Sequence, residues 1–248
     1  MFNFIDIHCH SLSRIDDGAA NSSMMKKMLD IAYADNIKTV CFTPHFKIYE
    51  FENESDIVLH NSLIKQMYDI ATDYVKEAHP DMTLYLGNEI MYHNDFFDSL
   101  ASGHCTTINN SVYVLVEFSP NVTEFDIRNG ISRILRKGYI PLIAHIERYG
   151  ALVKDIELLL DLKSMGALFQ INAKSVTKIK LGKSASFIKA VLKRRLVDVV
   201  ATDAHDDEDF TPVLSKAYSS ISKRYGEVYA KKLFYENPNA ILNNEKFI

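Results

Sequence analysis

Short, continuously apolar segments that alternate with amphipathic segments constrain this chain more than any other feature of its sequence. The apolar segments are Phe4–His8, Thr39–Thr43, Thr83–Gly87, Val112–Glu117, Ile140–Ala144, Ala167–Ile171 and Val197–Ala201. Runs without polar alternation are typical of parallel strands that are covered on both faces. The pattern therefore predicts an α/β fold, a single-domain distorted (β/α)₇ barrel of the TIM-like type.

Helical periodicity fills the intervals between these predicted strands. Segment 124–137 places Ile127, Ile131 and Ile134 on one stripe, and Gly138 follows as a C-cap. Segment 22–34 has a similar stripe, with an N-cap at 21, 22 or 23. A longer helix is predicted over 55–78, and two helices broken near Gly226 over 211–235. No repeat or domain boundary interrupts the 248 residues.

Composition excludes several classes of protein. A net charge of −4 does not indicate a nucleic-acid partner, which requires a concentrated basic patch. No apolar run approaches the roughly 20 residues that span a bilayer, and Met1–Asp6 lacks the features of a signal peptide. The three cysteines are widely spaced and odd in number, which argues against a disulfide framework. We therefore expect a cytoplasmic protein without membrane insertion.

Metal-binding residue types recur at the carboxyl ends of the predicted strands, where (β/α) barrels carry their chemistry. His8 and His10 end the first strand, two residues apart and on the same side. Later strand ends and loops deliver Asp16, Asp17, His45, Glu89, Glu117, His145, Asp203 and His205. One such residue alone is usually structural or solvated. Because clustered carboxylates are costly without cations, the joint pattern predicts a multi-metal site.

The residue types also indicate the chemistry of this site. Mixed histidine and carboxylate ligands suit manganese, iron(II) or zinc, and clusters of such ions serve in-line displacement at phosphorus. Arg148 follows His145 by three residues, so it is either a phosphate clamp or an ordinary surface arginine. Gln170 and Asn172, on the sixth strand, are poor ligands. The residues together predict a metal-dependent phosphoesterase.

Other reactive side chains are expected to be structural. Alternation turns Cys9 away from its neighbours, which predicts a buried packing role. A cysteine-based tyrosine phosphatase needs an arginine six positions after its nucleophile, and none of the three cysteines has one. The remaining histidines are predicted to be surface residues without partners: His60, His79, His93 and His104.

Four motifs resemble the polymerase-and-histidinol-phosphatase (PHP) superfamily and, within it, the bacterial capsule-associated protein-tyrosine phosphatases. They are Ile5-Asp6-Ile7-His8-Cys9-His10, Ile15-Asp16-Asp17-Gly18, Thr43-Pro44-His45 and Ala144-His145-Ile146-Glu147-Arg148-Tyr149. The resemblance runs from Phe4 to Pro238. It implies one PHP-type metallophosphoesterase domain over residues 1–248, with a distorted (β/α)₇ barrel fold.

The resemblance also implies a trinuclear metal centre, usually described with manganese. One ion would take His8, His10, Glu89 and Asp203; a second would share Glu89 and add His45 and Glu117; a third would take Asp17, His145 and His205. Arg148 would hold phosphate as the catalytic residue. The implied reaction is hydrolysis of phosphotyrosine by metal-activated hydroxide, on a bacterial tyrosine autokinase that controls capsule or exopolysaccharide synthesis.

One segment departs from the family pattern. Residues 206–210 read Asp-Asp-Glu-Asp-Phe, without the second phosphate-binding arginine that the resemblance leads us to expect. Arg14 and Lys47 are candidate substitutes. Two alternative functions therefore stay open: a histidinol-phosphate or other small-molecule phosphatase, and a non-catalytic metal-binding regulatory module.

Overall fold

A computed structural model describes residues 3–178 and 182–247 of the chain. Met1 and Phe2, which belong to the segment predicted not to be a signal peptide, lie outside the described residues. The strands are β1 (Phe4–Asp6), β2 (Ile37–Phe42), β3 (His45–Phe46), β4 (Thr83–Leu86), β5 (Glu89–Met91), β6 (Tyr113–Glu117), β7 (Ile140–Ile143), β8 (Leu168–Asn172) and β9 (Val199–Ala201). The helices are α1 (Ser22–Ala34), α2 (Glu54–Ala78), α3 (Phe96–Ala101), α4 (Glu124–Arg136), α5 (Gly150–Lys154), α6 (Ile156–Met165), α7 (Ala173–Lys178), α8 (Lys183–Lys193), α9 (Ser215–Tyr225), α10 (Glu227–Lys231) and α11 (Asn237–Leu242).

The strands form a curled parallel barrel, as the apolar runs predict. One sheet has the order β1-β2-β4 and the other β3-β5-β6-β7-β8-β9, and every pair is parallel. The chain beyond β1 meets the chain beyond β9 through a parallel bridge between Cys9 and Ala204. There the Asp203 amide donates to the carbonyl of His8 at 2.9 Å. The predicted α/β barrel class is therefore confirmed.

Two of the seven predicted strands are followed, after a short break, by a further strand that the prediction did not include. Thr43 and Pro44 separate β2 from β3, and Gly87 and Asn88 separate β4 from β5. Proline has no N–H for a sheet ladder, so the second strand cannot continue unbroken through Pro44. The break bends the chain so that β3 and β5 begin with His45 and Glu89, both predicted metal ligands.

The helix predictions hold closely at their amino-terminal ends. Asn21 caps α1 by accepting from the Met24 amide, and Thr123 caps α4 by accepting from the Asp126 amide. The region predicted to begin at Thr211 becomes helical only at Ser215, and Gly226, with φ 97°, separates α9 from α10. A π-helical turn at 232–236 then leads to α11. Within the described ranges, no helix combines the length and apolar character that membrane crossing requires.

Candidate metal centre

All nine predicted metal ligands lie at the carboxyl-terminal mouth of the barrel. They end a strand, begin one of the two further strands, or stand in the loop that follows: His8, His10, Asp17, His45, Glu89, Glu117, His145, Asp203 and His205. Most are buried, although Asp17 and the edges of His45 and His205 reach solvent. The donor atoms of eight of them, all except His145, form three groups in which all members lie within 4.8 Å of one another.

The first group contains His8, His10, Glu89 and Asp203. The Nε2 atoms of the two histidines lie 3.2 Å apart, and each lies 3.3–3.5 Å from Glu89 Oε2 and Asp203 Oδ1. An ion about 2.0–2.2 Å from four tetrahedral ligands would set those ligands roughly 3.3–3.6 Å apart. The spacing therefore fits a single ion between these four side chains, as the resemblance implies.

The second group shares Glu89 with the first. His45 Nδ1 lies 3.1 Å from Glu89 Oε2 and 3.3 Å from Glu117 Oε1. On the other side of the same carboxylates, His145 Nε2 lies 2.7 Å from Glu89 Oε1 and 3.7 Å from Glu117 Oε2. Glu89 is thus the central carboxylate of the cluster.

The third group differs from the sequence prediction. Asp17 Oδ1 lies 3.5 Å from the Nε2 atoms of both His45 and His205, and His10 completes the group. His145, predicted here, lies instead beside Glu89 and Glu117. The strand order explains the difference: β7, which His145 follows, is the neighbour of β6 and its Glu117, whereas His205 follows β9 beside the first strand.

Several donor atoms of the cluster are buried without a hydrogen-bond partner among the described residues. They are His45 Nδ1, Glu89 Oε2, Glu117 Oε1 and Asp203 Oδ1. A buried polar atom left unpaired costs about 1–3 kcal/mol, and more when the group is charged. Cations bound between these atoms would satisfy all four, so the residues present fit a divalent metal cluster.

The electrostatics of the protein alone point in the same direction. Burial would raise the pKa of Glu89, but the charges of His8 and His145 outweigh it and hold that pKa well below its usual range. Burial would lower the pKa of His10, but the hydrogen bond to Asp16 and the nearby carboxylates of Asp203 and Glu89 raise it well above the ordinary value. The raised pKa of His10 favours a protonated ring beside these carboxylates, and metal binding would displace that proton.

Three residues that the sequence did not assign hold the ligands in place. Asp16 Oδ2 lies 2.7 Å from His10 Nδ1 and also accepts from the His45 amide at 3.0 Å. Gln170 Oε1 lies 3.2 Å from His8 Nδ1 and accepts from the His145 amide at 2.6 Å. Such contacts to the second ring nitrogen fix the tautomer and orientation of a metal-binding histidine.

Asn172 continues this support toward the rim. It accepts from the Gln170 amide group at 2.8 Å and donates to Asp203 Oδ2 at 2.6 Å. The signal available in the sequence was position: Gln170 and Asn172 end β8 on the same face, two residues apart. Poor ligands at a strand end among good ones are candidates for this orienting role.

Two ligand positions have left-handed backbone conformations, with φ 33° at His145 and 53° at Asp203. Residues other than glycine adopt this region at a cost of about 1–3 kcal/mol, and they persist where surrounding contacts fix them. The His145 amide is held by Gln170, and the Asp203 amide by the His8 carbonyl at 2.9 Å. At both positions the strained backbone lies where a ligand side chain turns into the cluster.

Arg148 lies at the rim, in a 3₁₀ turn after β7. One terminal nitrogen of its guanidinium donates to Asp203 Oδ2 at 2.6 Å, and its side chain is 42% exposed. The group is anchored at one side and open to solvent at the other. This arrangement suits the predicted clamp on a phosphate placed over the cluster.

The acidic segment after His205 is neutralised locally. Asp206 Oδ1 accepts from the amides of Glu208, Asp209 and Phe210, and thereby closes a turn. Asp207 pairs with Lys27 at 2.6 Å, and Asp209 with Lys174 at 2.6 Å. The carboxylates of 206, 207 and 209 are thus tied to neighbours on the barrel mouth.

The remaining predictions have mixed outcomes. Cys9 is buried, as expected, and burial raises the pKa of its thiol to about 12, which is incompatible with a thiolate nucleophile. The expectation of partnerless surface histidines is wrong: His79 stacks on Tyr33 and lies 2.7 Å from Asp30, and His93 lies 3.2 Å from Asp95. The contact of His79 with Asp30 spans 49 positions of the chain, so helical or strand periodicity gave no sign of it.

Comparisons with known proteins agree with this geometry. A family model described as capsular polysaccharide synthesis, CpsB/CapC, matches residues 4–243. The tyrosine-protein phosphatase CpsB of Streptococcus pneumoniae is 36% identical over 97% of this chain and 99% of its own length. The tyrosine-protein phosphatase YwqE of Bacillus subtilis is 29% identical over 97% of this chain and 92% of its own length.

Solved structures give the same result. A chain from the crystal structures of YwqE and CpsB, described as unique metal-dependent tyrosine phosphatases, superposes with a TM-score of 0.87 at 27% identity, covering 98% of this chain and 96% of that one. The phosphotriesterase homology protein of Escherichia coli shares the fold alone, with a TM-score of 0.62 at 9% identity over 97% and 99% of the two chains. Because the family model matches residues 4–243 of the 248, this chain belongs to the CpsB/CapC family of capsular polysaccharide synthesis.

Proposed function

We propose that this protein is a metal-dependent protein-tyrosine phosphatase. The observation that carries the proposal is the set of four buried, unpartnered donor atoms at the mouth of a barrel whose named relatives are tyrosine phosphatases. A rigid, carboxylate-rich site that lacks only cations suits hydrolysis at phosphorus. It does not suit cysteine chemistry, because all three cysteines are buried.

Manganese is the metal that we propose, with iron(II) and zinc as the alternatives. His8, His10, Glu89 and Asp203 would hold one ion, and Glu89 and Glu117 another, together with His45 or His145. Asp17 and His205 would hold the third, together with Nε2 of His45. Bound divalent ions supply Lewis acidity toward phosphoryl oxygens and lower the pKa of water.

The protein's own residues orient the substrate and the ligands. Arg148 would donate its exposed nitrogens to equatorial phosphoryl oxygens, where charge grows in the transition state. Asp203 fixes the inner side of the guanidinium, and Asn172 fixes Asp203. Asp16 and Gln170 hold His10, His8 and His145 so that their ligating nitrogens face inward. Hydrolysis of phosphotyrosine releases the tyrosine side chain as the leaving group. Its hydroxyl has a pKa of about 10, so the leaving oxygen needs little stabilisation.

The biological setting forms the finer part of the proposal. We propose that the substrate is a bacterial tyrosine kinase of capsule or exopolysaccharide synthesis; the family description supports the capsular setting. We also propose that residues 1–248 act as one domain in the cytoplasm. Three free, buried cysteines are consistent with a reducing compartment.

The test is a metal analysis paired with a substrate comparison. Purified protein should contain divalent metal and, after reconstitution with manganese, should release phosphate from a phosphotyrosyl peptide faster than from histidinol phosphate. Faster hydrolysis of histidinol phosphate would support the small-molecule alternative. Absence of turnover with manganese, iron(II) and zinc would support the regulatory module and overturn the proposed activity.

A further inference from the structure

A pocket of about 390 Å³ opens beside the metal centre, between the loop that carries Asp17, the segment after β3 and α2. Asp16, Asp17 and His45 form its edge toward the cluster. The other walls come from Ile15, Lys47, Glu50, Phe51 and His60. Ligand pockets in proteins generally span about 300–1,000 Å³. This one is therefore of the size that takes a single side chain or small ring.

Its walls suit an aromatic ring. Ile15 and Phe51 are half-buried and pack against the barrel core, and Phe51 stacks on Phe46 with ring centroids 5.6 Å apart. The ring of His60 meets Phe51 edge-on at 5.2 Å. Offset and edge-to-face arrangements are those that aromatic rings prefer. A further ring between Ile15 and Phe51 would extend this aromatic cluster.

His60 supplies an unused polar atom. Its Nε2 is buried and has no hydrogen-bond partner in the part of the chain that the structure describes. Burial lowers the pKa of His60, so the ring stays neutral and one nitrogen can accept. Neutral histidine facing a pocket is suited to a hydrogen bond with the main chain of a bound peptide.

Lys47 supplies the cation of the pocket. Its side chain is 23% exposed, and its Nζ lies 3.7 Å from Glu50, a contact too long for a strong hydrogen bond. Lys47 lines the same pocket as Asp17 and His45, so its ammonium lies on the side of the pocket that borders the cluster. An ammonium in this position complements a phosphate held at the metal centre.

We propose that this pocket receives the aryl ring of phosphotyrosine, with Ile15 and Phe51 against the ring and Lys47 paired with the phosphate. The proposal rests on the proposed phosphatase function and adds its basis of substrate selection. A ring that fills the pocket would place its phosphate at the edge formed by His45 and Asp17. A short alkyl phosphate would not cover the apolar walls, which would stay exposed to water.

The test uses two ligands that cannot be hydrolysed, phenylphosphonate and methylphosphonate, titrated calorimetrically into the manganese-loaded protein. Burial of a phenyl ring contributes about tenfold or more in affinity, so phenylphosphonate should bind at least about tenfold more tightly. Ile15→Ala and Phe51→Leu should shrink this ratio toward one. Lys47→Met should weaken both ligands to a similar extent and leave the ratio unchanged.

Leu59→Ala is the matched control, since Leu59 is exposed on α2 next to His60 and lies outside the pocket. The ratio is taken from one preparation, so a partly unfolded variant does not distort it. Equal affinity of the two ligands for the wild type, or an unchanged ratio in both Ile15→Ala and Phe51→Leu, would overturn the pocket. Binding does not depend on turnover, so a missing phosphotyrosine activity would overturn only the proposed function.

Discussion

Buried carboxylates are hydrogen-bonded differently at the two ends of the barrel. At the amino-terminal end of β9, Asp198 receives two contacts from Lys163 Nζ, at 2.7 and 2.8 Å, and one from the Phe169 amide at 2.9 Å. At the carboxyl-terminal mouth, Glu89, Glu117 and Asp203 each keep a buried oxygen without a hydrogen-bond partner among the described residues. One end is satisfied by the protein itself, whereas the other is incomplete without cations.

The difference separates a structural role from a functional one. Buried polar groups in folded proteins are nearly always paired, so a complete pair such as Lys163 and Asp198 needs no ligand to explain it. Four buried atoms without hydrogen-bond partners among the described residues, gathered at one point, suit a ligand that supplies positive charge. Single substitutions at each end should therefore affect different properties of the molecule.

Glu89→Gln should have the largest effect, because Glu89 belongs to two of the three groups. The amide keeps the shape of the side chain but removes the charge that both ions would share. We expect the metal content to fall and kcat/KM with a phosphotyrosyl peptide to drop at least about a thousandfold. Mass spectrometric metal analysis and steady-state kinetics measure the two effects.

Glu77→Gln, on an exposed position of α2, is the matched control and should change neither quantity. A Glu89→Gln protein that kept its full metal complement and turnover would remove the distinction between the two ends.

Arg148→Met should have the next largest effect. The guanidinium is not among the grouped metal ligands, so the metal content should stay at the wild-type level. Loss of its donors to the phosphate should lower kcat/KM about a hundredfold, the range observed when one preorganised donor is removed. Arg136→Met, at the exposed end of α4, serves as the control. Loss of metal in Arg148→Met would instead make the Arg148–Asp203 contact a structural support of the cluster.

The strand ends could be predicted from sequence because parallel strands place their carboxyl ends at one edge. His8, His45 and Glu117 were found by this rule, without any knowledge of the loops between them. The rule does not state which strands are neighbours, so it gave no grouping of the ligands; the grouping of His145 with Asp17 and His205 was taken from the family resemblance. Around the barrel, β7 lies beside β6, and so His145 reaches Glu117.

The residues that support the ligands could not be predicted from the sequence, for a different reason. Gln170 contacts His8 across 162 positions of the chain, and nothing local to either residue indicates the contact. The residue type of Gln170 did not indicate its role either. An amide is a poor metal ligand but a good hydrogen-bond partner for the second ring nitrogen of a ligating histidine. The break between β2 and β3 was predictable in principle, because Pro44 cannot donate to the ladder.

Gly18→Ala should lower turnover less than Arg148→Met does, and its structural effect should be confined to the mouth of the barrel. A Cβ at position 18 would lie 1.8 Å from the carbonyl oxygen of His10, so the loop that carries Asp16 and Asp17 must shift. We expect about a tenfold loss of activity, weaker binding of one ion and a destabilisation of about 1–3 kcal/mol. Metal titration and urea unfolding measure these changes.

Gly150→Ala provides a sharp contrast, since a Cβ there meets nothing within 4 Å. It should leave metal binding and activity unchanged. If Gly18→Ala behaved in the same way, the close approach of this loop to His10 would not be needed to position Asp17.

Lys163→Met should have the smallest effect on activity and a clear effect on stability. It leaves Asp198 buried with only the Phe169 amide as a donor. Breaking a fully buried pair costs about 3–5 kcal/mol. Because the Lys163 side chain is 32% exposed, solvent screens part of that cost, and we expect a loss of about 2–3 kcal/mol in urea unfolding. Metal content and kcat/KM of the folded protein should stay within about twofold of wild type, because the pair lies at the opposite end of the strands from the cluster.

The double variant Lys163→Met/Asp198→Asn should recover part of the stability, since the amide removes the unpaired charge and can still accept from the Phe169 amide. A parallel loss of metal in Lys163→Met would show instead that the two ends of the barrel are coupled.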